Sequence, residues 1–362
     1  MARVSEAQIL EALAAIRVPG AGKDIAVADS IEGLAIREGN VSFAITIDPS
    51  QAKAMESLRK QAEDIVFALP GVSSASVALT AHRDEPPPKA PAPAKASLPN
   101  LGAIVAVASG KGGVGKSTTA TNLALALAAR RLSVGLMDAD IYGPSQPRMM
   151  GLSGRPSSPD GKTIVPHERY GVRCMSIGFL VGEDTPMIWR GPMVQSALMQ
   201  MMRDVAWGPL DVLVVDMPPG TGDAQLTMAQ QVALTGAVIV STPQSVALAD
   251  VKKAVNMFRK VDVPILGVVE NMSLYICPRC GHEDHIFAHG GARKEAEARG
   301  LPFLGEIPCD PAIREASDEG QPIVVSAPEG RHAETYRAIA EAVWNEVEAR
   351  QGSRQRPSIV ME

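Results

Sequence analysis

A glycine-rich segment at residues 109–118, Ser-Gly-Lys-Gly-Gly-Val-Gly-Lys-Ser-Thr, constrains this chain more than any other feature. An apolar run, Ala103–Ala108, precedes it, and an Ala/Leu-rich run, Asn122–Ala129, follows it. This is the pattern G-x-x-x-x-G-K-[ST] between a strand and a helix, where backbone N–H groups and a helix N-terminus bind phosphate. We expect Lys116 to reach the β- and γ-phosphates of a nucleotide and Ser117 to contribute its hydroxyl to Mg²⁺.

The composition is that of a globular chain long enough for two domains. Hydrophobic residues make up 46% of the 362 residues and aromatic residues only 4%, so we expect a core of aliphatic side chains and methionine. The net charge is −5 without clustered basic residues, which argues against nucleic acid as a partner. No apolar run reaches the roughly 20 residues that span a bilayer, and no export signal is visible, so we expect no membrane partner. The four cysteines then predict a reducing, cytoplasmic location.

A proline-rich stretch divides the chain. Residues 83–100 contain six prolines among alanines and charged residues, a composition that favours an extended linker over a packed core. We therefore predict a small domain over residues 1–82 and a larger domain over residues 101–350. Residues 351–362 are predicted to be a disordered tail.

The first 82 residues show the pattern of a small α+β domain with the element order α-β-β-α-β. Ser5 and Gln8 fit a capping box at the start of the first helix. Alternation of apolar and polar residues predicts the strands. The predicted elements are a helix from Ser5 to about Arg17, strands over Ile31–Arg37 and Val41–Ile47, a helix from Ser50 to about Leu69 and a strand over Val72–Leu79.

In the larger domain, short apolar runs alternate with helical stretches. Runs of this kind are typical of parallel strands that are buried on both faces. The pattern predicts an α/β fold with a doubly wound, mostly parallel sheet. The predicted strands are Ile104–Ala108, Ser133–Met137, Val212–Asp216, Ala237–Ser241, Ile265–Glu270 and Phe303–Ile307. The predicted helices include Gln195–Arg203, Val246–Lys260, Ala292–Arg299 and Ala333–Ala349.

Three aspartates follow predicted strands of this sheet. Asp138 and Asp140 follow the second strand, and Asp216 ends the third. Since ligands bind at the carboxyl ends of parallel strands, we expect all three near the glycine-rich loop. Asp216 suits water-mediated binding of Mg²⁺, Asp138 a supporting position for the metal, and Asp140 orientation or deprotonation of an attacking water. Taken singly, an aspartate more often caps a helix or a turn, but three at strand ends after a complete phosphate loop reverse that preference.

A C-x-x-C pair, Cys277 and Cys280, supplies two thiolates. An iron–sulfur cluster or a structural zinc ion normally takes four ligands. Two copies of the pair across a two-fold axis supply four, so a dimer accounts for a single pair. Two alternatives stay open: a Cys₂His₂ zinc site with His282 and His285 in one chain, and a thioredoxin-like redox pair.

Three long segments together resemble one family. They read Gly-Lys-Gly-Gly-Val-Gly-Lys-Ser, Asp-Ala-Asp-Ile-Tyr-Gly-Pro-Ser-Gln-Pro and Asp-Met-Pro-Pro-Gly-Thr-Gly-Asp. They are similar to the Mrp/ApbC family of iron–sulfur cluster carriers, which belongs with MinD, ParA and the nitrogenase iron protein. The resemblance covers residues 99 to about 350. The second lysine of the loop, Lys111, is typical of the deviant-Walker dimeric ATPases.

The resemblance implies roles for individual residues. Lys111 would contact the nucleotide of the facing subunit, and the segment 216–223 would sense the γ-phosphate. The implied catalytic residues are Lys111, Lys116 and Asp140. The implied nucleotide-binding residues are Gly110, Lys111, Gly112, Gly113, Val114, Gly115, Lys116, Ser117 and Thr118 in the loop, with Asn271, Pro308 and Asp310 at the adenine. Cys277 and Cys280 resemble the motif that bridges a cluster, [4Fe–4S] in preference to [2Fe–2S].

The first domain resembles the small domain of cluster-assembly factors that is fused to many bacterial Mrp proteins. It contains no cysteine, so we expect it to dock partners or regulate the larger domain and not to hold a cluster.

The interpretation that follows is an ATP-binding, slowly ATP-hydrolysing carrier. It would bind a cluster across a homodimer and transfer it to apo-proteins, with cluster-assembly factors as further partners. The alternative is a MinD- or ParA-like positioning or partition ATPase, which binds membrane or DNA. The polar residues of the predicted last helix are largely acidic and no basic stripe is visible, which favours the carrier. A zinc-containing regulatory ATPase remains open should the cysteine pair bind zinc.

Overall fold

The computed structural model describes residues 4–14, 16–18, 25–27, 31–37, 39–46, 55–80, 100–181, 191–277 and 279–354. The chain divides into two units, Met1–Ala92 and Pro93–Glu362. Residues 83–99 of the predicted linker lie outside the described residues.

The N-terminal unit has the predicted order α-β-β-α-β with two short strands added. Its elements are α1 (Glu6–Leu13), β1 (Arg17–Val18), β2 (Ile25–Ala26), β3 (Ile31–Arg37), β4 (Asn40–Thr46), α2 (Glu56–Phe67) and β5 (Ser74–Thr80). β4 pairs antiparallel with β3 and parallel with β5. The capping box of Ser5 and Gln8 is confirmed. α1 ends at Leu13 and not at Arg17, because Arg17 pairs with Ala26 in a separate two-stranded ladder. Ser50, the predicted cap of α2, lies outside the described residues.

The larger unit contains nine strands and nine helices in the part of the chain that is described. The strands are β6 (Leu101–Ala108), β7 (Val134–Asp138), β8 (His167–Arg169), β9 (Val172–Ser176), β10 (Leu210–Asp216), β11 (Gly236–Ser241), β12 (Ile265–Ile276), β13 (Glu283–Asp284) and β14 (Phe303–Cys309). The helices are α3 (Lys116–Ala129), α4 (Gln146–Met149), α5 (Gly191–Arg203), α6 (Asp223–Gln231), α7 (Ser245–Lys260), α8 (Gly291–Ala298), α9 (Pro311–Asp318), α10 (Ile323–Ser326) and α11 (Arg331–Arg354).

These strands form one sheet in the order β14-β12-β11-β6-β10-β7-β9-β8. All pairings are parallel except those of β8 with β9 and of β13 with the end of β12. The predicted doubly wound, mostly parallel sheet is confirmed. β8, β9 and β13 escaped prediction because they are short and lack a long apolar run. The register places Asp216 of β10 beside Asp138 of β7, so the two carboxylates meet at one edge of the sheet.

Helix α11 corrects the predicted start of the C-terminal tail. The helix continues through residues 351–354, which the sequence assigns to the tail. The side chain of Gln351 donates to the carbonyl of Gly102 at 2.9 Å, and Arg350 donates to the carbonyl of Ile265 at 3.2 Å. These contacts with the sheet hold the last turns in place. Residues 355–362 lie outside the described residues.

Candidate functional site

The glycine-rich loop joins β6 to α3, as predicted. Gly113 and Gly115 have φ angles of +78° and +80°, a left-handed conformation that glycine adopts without steric cost. A Cβ atom on Gly115 would lie 2.0 Å from Nδ2 of Asn271, so the loop accepts no larger residue there. The same Nδ2 donates to the carbonyl of Val114 at 2.8 Å. Backbone shape and a side chain from β12 together fix the loop at the N-terminus of α3.

A charged cluster lies directly beside this loop. Nζ of Lys116 is 2.5 Å from Oδ1 of Asp216, 3.8 Å from Oδ2 of Asp140 and 3.1 Å from the hydroxyl of Ser117. The side chain of Lys116 is 6% exposed and that of Asp216 is fully buried. Charges so far from water are tolerated only when they are paired, so each holds the other in place. The structure thus brings together three of the aspartate and lysine residues that the sequence selects.

Asp138 lies beneath this cluster and organises the loop after β7. Its two oxygens accept hydrogen bonds from the backbone N–H groups of Asp140, Ser145 and Gln146 and from the hydroxyl of Ser176. Burial raises the pKa of Asp138 to about 7, and the charge of Asp216 acts in the same direction. Burial also raises the pKa of Asp140, while the ammonium of Lys116 opposes that rise. Asp138 therefore sets the position of Asp140 through the backbone, and its predicted part in a metal site stays a prediction.

The sequence analysis missed Gln146. This side chain is fully buried, and its Nε2 donates to Oδ2 of Asp216 at 2.9 Å. The available signal is its place in the segment Asp-Ile-Tyr-Gly-Pro-Ser-Gln-Pro, which carries part of the family resemblance and in which only Asp140 is predicted to have a chemical role.

The residues predicted around the adenine come from neighbouring strands. Asn271 of β12 pairs in register with Ile307 of β14, which leads into Pro308 and Asp310. Asp310 is the N-cap of α9, accepting from the backbone N–H of Ala312 at 2.9 Å. Its other oxygen is 2.9 Å from Nε2 of His332. These residues share one edge of the sheet with the glycine-rich loop, and their contact with adenine stays a prediction.

The cysteine pair follows the end of β12. Cys277 is half-buried and Cys280 is exposed. The backbone N–H groups of Arg279 and Cys280, together with the Cys280 thiol, lower the pKa of Cys277. The pair is therefore open to solvent, and the backbone around it favours a thiolate, the form that binds metals, at Cys277.

The described residues do not form the single-chain zinc site that the sequence left open. Among them, no group of three or more His, Cys, Asp or Glu side chains is arranged to hold a metal ion. His285 instead packs against His289, with ring centroids 4.1 Å apart. In the described part of one chain, the cysteine pair thus has fewer ligands arranged around it than a closed metal site requires.

Strand β12 connects the glycine-rich loop to the cysteine pair. Asn271 binds the loop through Val114, and the strand continues to Ile276, immediately before Cys277. Glu270, the residue before Asn271 in β12, is fully buried. Its carboxylate accepts hydrogen bonds from the backbone N–H groups of Gly290 (3.2 Å) and Ala292 (2.6 Å). Its carboxylate therefore holds the N-terminus of α8, the helix that ends the cysteine-containing loop. Two adjacent residues of β12 therefore hold the two regions: Asn271 holds the glycine-rich loop, and Glu270 holds the end of the cysteine-containing loop.

The fold and this site define a nucleotide-binding P-loop protein, and comparison with known proteins gives the family. The profile of the NUBPL iron-transfer P-loop NTPases matches residues 100–344, and that of an iron-sulfur cluster assembly protein matches residues 6–78. The chain belongs to the iron-transfer P-loop NTPase family. No helix in the described ranges is both long and apolar enough to cross a membrane.

Several relatives are similar over most of the chain. The iron-sulfur cluster transfer protein NUBPL of Dictyostelium discoideum is 54% identical over 256 residues, covering 70% of this chain and 79% of its own length. An iron-sulfur cluster carrier protein of Aquifex aeolicus is 45% identical over 329 residues, covering 86% of this chain and 90% of its own.

Solved structures show the same fold. A nucleotide-binding protein of Archaeoglobus fulgidus in complex with ADP aligns with a TM-score of 0.57 and 39% identity, over 66% of this chain and 93% of its own. The cell division ATPase MinD of Pyrococcus furiosus aligns with a TM-score of 0.50 and 25% identity, over 67% of this chain and 99% of its own. The relation to MinD is a distant one of fold, so the positioning-ATPase alternative gains no support.

Proposed function

We propose that this chain is an ATP-dependent carrier of iron–sulfur clusters, which it binds at Cys277 and Cys280 and passes to apo-proteins. The observation that carries the proposal is strand β12, which is anchored to the phosphate loop by Asn271 and ends at the cysteine pair. Relatives named as cluster carrier and cluster transfer proteins support it. ATP hydrolysis serves to load or release the cluster, and the protein works in the cytoplasm.

The nucleotide is held by the phosphate loop. Backbone N–H groups over Gly110–Thr118 bind its phosphates, and Lys116 balances their charge. Asn271, Pro308 and Asp310 contact the adenine. Asp140 orients the attacking water, since its side chain lies 3.8 Å from Lys116 and, at 13% exposed, is the least buried of the three aspartates' side chains. Lys111 contacts the nucleotide of the second subunit, as in the related dimeric ATPases.

The residues beside the loop suit a magnesium ion. Mg²⁺ prefers hard oxygen ligands and keeps part of its water shell. The hydroxyl of Ser117 and the carboxylate of Asp216 both contact the one ammonium of Lys116, so they lie within reach of a single small cation. Asp138 supports the site from beneath. When bound, Mg²⁺ would neutralise charge on the β- and γ-phosphate oxygens.

The cluster is the cargo, and a homodimer supplies its four thiolates. Three large apolar side chains of the described residues are exposed in segments that follow strands of the sheet: Tyr142 (66%), Val246 (66%) and Ile286 (55%). Tyr142 and Val246 follow β7 and β11 at the same edge of the sheet as the phosphate loop, and Ile286 follows β13, between the cysteine pair and α8. A second copy meeting this edge would cover them and bring two cysteine pairs together, most simply around a [4Fe–4S] cluster.

Anaerobic reconstitution with iron and sulfide tests the proposal. Wild type, the double variant Cys277→Ser/Cys280→Ser and the matched control Cys309→Ser are compared by iron, sulfide and zinc content, visible spectrum and mass in solution. We expect a brown dimer with about half a cluster per chain for wild type and the control, and a colourless double variant. A colourless wild type carrying one zinc per chain, or no metal, would overturn the carrier function.

Transfer is tested separately. The reconstituted protein is mixed with an apo-ferredoxin, and the recovery of the ferredoxin spectrum is followed with and without MgATP. We expect recovery with wild type at a rate that changes with MgATP. Equal rates in both conditions would contradict the coupling to ATP while leaving the carrier function intact.

The N-terminal unit is proposed to dock partners or regulate the larger unit, and the residues from 83 to 100 to act as its linker. It contains no cysteine, so a cluster ligand from this unit is not expected. A chain that starts at Asn100 is expected to bind a cluster normally and to deliver it more slowly to partners that use the N-terminal unit.

A further inference from the structure

Gln146 contacts three parts of the site at once. It is the first residue of α4, and its side chain is fully buried. Its Nε2 donates to Oδ2 of Asp216 (2.9 Å) and to the carbonyl of Ser117 (3.3 Å). Its Oε1 accepts from the hydroxyl of Thr121 at 2.6 Å. One amide therefore joins β10 to the first turns of the helix that follows the phosphate loop.

These contacts determine which way the amide faces. A carboxylate can only accept hydrogen bonds when ionised, so the amide must present its NH₂ group to Asp216. Turning the amide over would set Oε1 against the carboxylate and leave Nε2 at the hydroxyl of Thr121. The hydroxyl of Thr121 has one proton and two acceptors, Oε1 at 2.6 Å and the carbonyl of Ser117 at 2.9 Å, and it supports the observed orientation when it donates to Oε1, the shorter contact.

The two oxygens of Asp216 have different partners. Oδ1 faces Lys116, and Oδ2 faces Gln146. Lys116 has a second task at the nucleotide phosphates, whereas the amide of Gln146 has all its contacts within the protein. Gln146 is thus the partner that keeps Asp216 in position whatever the lysine contacts.

We propose that Gln146 is a positioning residue for the hydrolysis of ATP, because it holds the carboxylate of Asp216 in the orientation that magnesium binding requires. The inference rests on the nucleotide and magnesium part of the proposed function and is independent of the cluster. Mutation of a residue that is hydrogen-bonded to a metal ligand typically lowers metal affinity by about 10- to 100-fold. Removing the amide should therefore weaken the response to Mg²⁺ and leave magnesium-independent binding of nucleotide unchanged.

The test uses Gln146→Met, which has a similar length but no hydrogen-bonding amide. Binding of a fluorescent ATP analogue is titrated with Mg²⁺, and ATP hydrolysis is measured at the same concentrations. We expect the half-saturating Mg²⁺ to rise about tenfold in both assays, the lower end of the usual range, with analogue binding without Mg²⁺ unchanged. Thr121→Val leaves the amide but removes the donor that orients it, so we expect a shift in the same direction of about threefold.

Asn122→Leu is the matched control. Asn122 is a fully buried amide on α3, the helix that Gln146 contacts, but its hydrogen bonds to described residues go only to the backbone of Thr118 (2.9 Å) and Val324 (3.2 Å). We expect this variant to lower the melting temperature without moving the half-saturating Mg²⁺.

The outcomes separate the hypotheses. A wild-type response to Mg²⁺ in Gln146→Met, or an equal shift in Asn122→Leu, would overturn the positioning role. Should Gln146→Met fail to fold, an unshifted Thr121→Val would overturn it. A wild type that binds the analogue without any effect of Mg²⁺ would refute the magnesium site itself, whereas failure of cluster reconstitution leaves this inference untouched.

Discussion

The region around the phosphate loop and the cysteine pair lie at the same edge of the sheet but are built in opposite ways. Around the loop, Lys116, Asp138 and Asp216 are nearly or completely buried, and their polar atoms are matched by hydrogen bonds. At the pair, Cys280 is exposed and Cys277 is half-buried. A site that performs chemistry on a fixed substrate gains from preorganised partners. The open position of this pair suits the proposed function, in which the site gives up its cargo.

We expect the largest difference between buried and open positions in the reactivity of their thiols. Cys174 is fully buried and burial raises its pKa, whereas backbone N–H groups lower the pKa of Cys277. Since the thiolate is the reactive form, Cys277 should be modified readily at pH 7, and Cys174 only when the core opens. We expect iodoacetamide to label Cys277 about a thousandfold faster than Cys174, measured by peptide mass spectrometry. Comparable rates at the two cysteines would show that the two regions do not differ in this way.

Removing a charge from the buried cluster should have the next largest effect. Lys116→Ala leaves Asp216 buried without its cation, which should lower the free energy of unfolding by roughly 3 kcal/mol. It should also slow ATP hydrolysis by about a hundredfold or more, because the phosphates lose their lysine. Denaturant unfolding and steady-state hydrolysis measure the two effects.

Lys253→Ala is the control for that experiment. Lys253 also pairs with an aspartate, Asp250, at 3.0 Å, but its side chain is 68% exposed. An exposed pair contributes at most about 1 kcal/mol, so stability and hydrolysis should stay close to those of wild type. Equal losses of stability and of hydrolysis in both variants would show that the buried Lys116–Asp216 pair contributes no more than an exposed pair.

The sequence predicts the phosphate region well because its signals are local. The spacing of glycines and lysine places the loop, and apolar runs place the strands whose ends carry Asp138 and Asp216. The position of the C-terminal helix α11 and the capping box at Ser5 follow from the same kind of pattern. The register of β7 against β10 does not, because it depends on how strands distant in sequence align.

Gln146 shows why the remainder could not be predicted. The residues next to it in the sequence do not indicate a buried amide. Its partners Asp216 and Thr121 are far from it along the chain. Glu270 is a similar case, since it ends a predicted strand but caps a helix that begins beyond the cysteine loop. Contacts of this kind depend on tertiary packing, which local spacing does not encode.

A smaller effect is expected from glycine substitutions within the phosphate loop. Gly115→Ala forces a side chain into φ +80° and places Cβ 2.0 Å from Nδ2 of Asn271, which breaks the contact with Val114. The strain and the lost hydrogen bond should cost about 2–3 kcal/mol in unfolding free energy. In Gly112→Ala the new Cβ meets its nearest heavy atom, of Pro219, at 3.9 Å, so the change should stay within about 0.5 kcal/mol. Similar losses in the two variants would show that Asn271 does not constrain the loop.

The smallest effect should come from the residue that joins the two regions. Glu270→Gln keeps one oxygen for one of the N–H groups of Gly290 and Ala292, sets an NH₂ group against the other, and removes the charge that favours the N-terminus of α8, at a cost of about 1–2 kcal/mol. We expect faster hydrogen exchange in residues 279–292 with little change at the phosphate loop, because Asn271 keeps its own contact with Val114. Glu297→Gln, an exposed substitution on the same helix, should leave exchange unchanged. If hydrogen exchange rises equally at the phosphate loop, the phosphate loop and the cysteine-containing loop open together. Residues of β12 would then not hold the two loops independently.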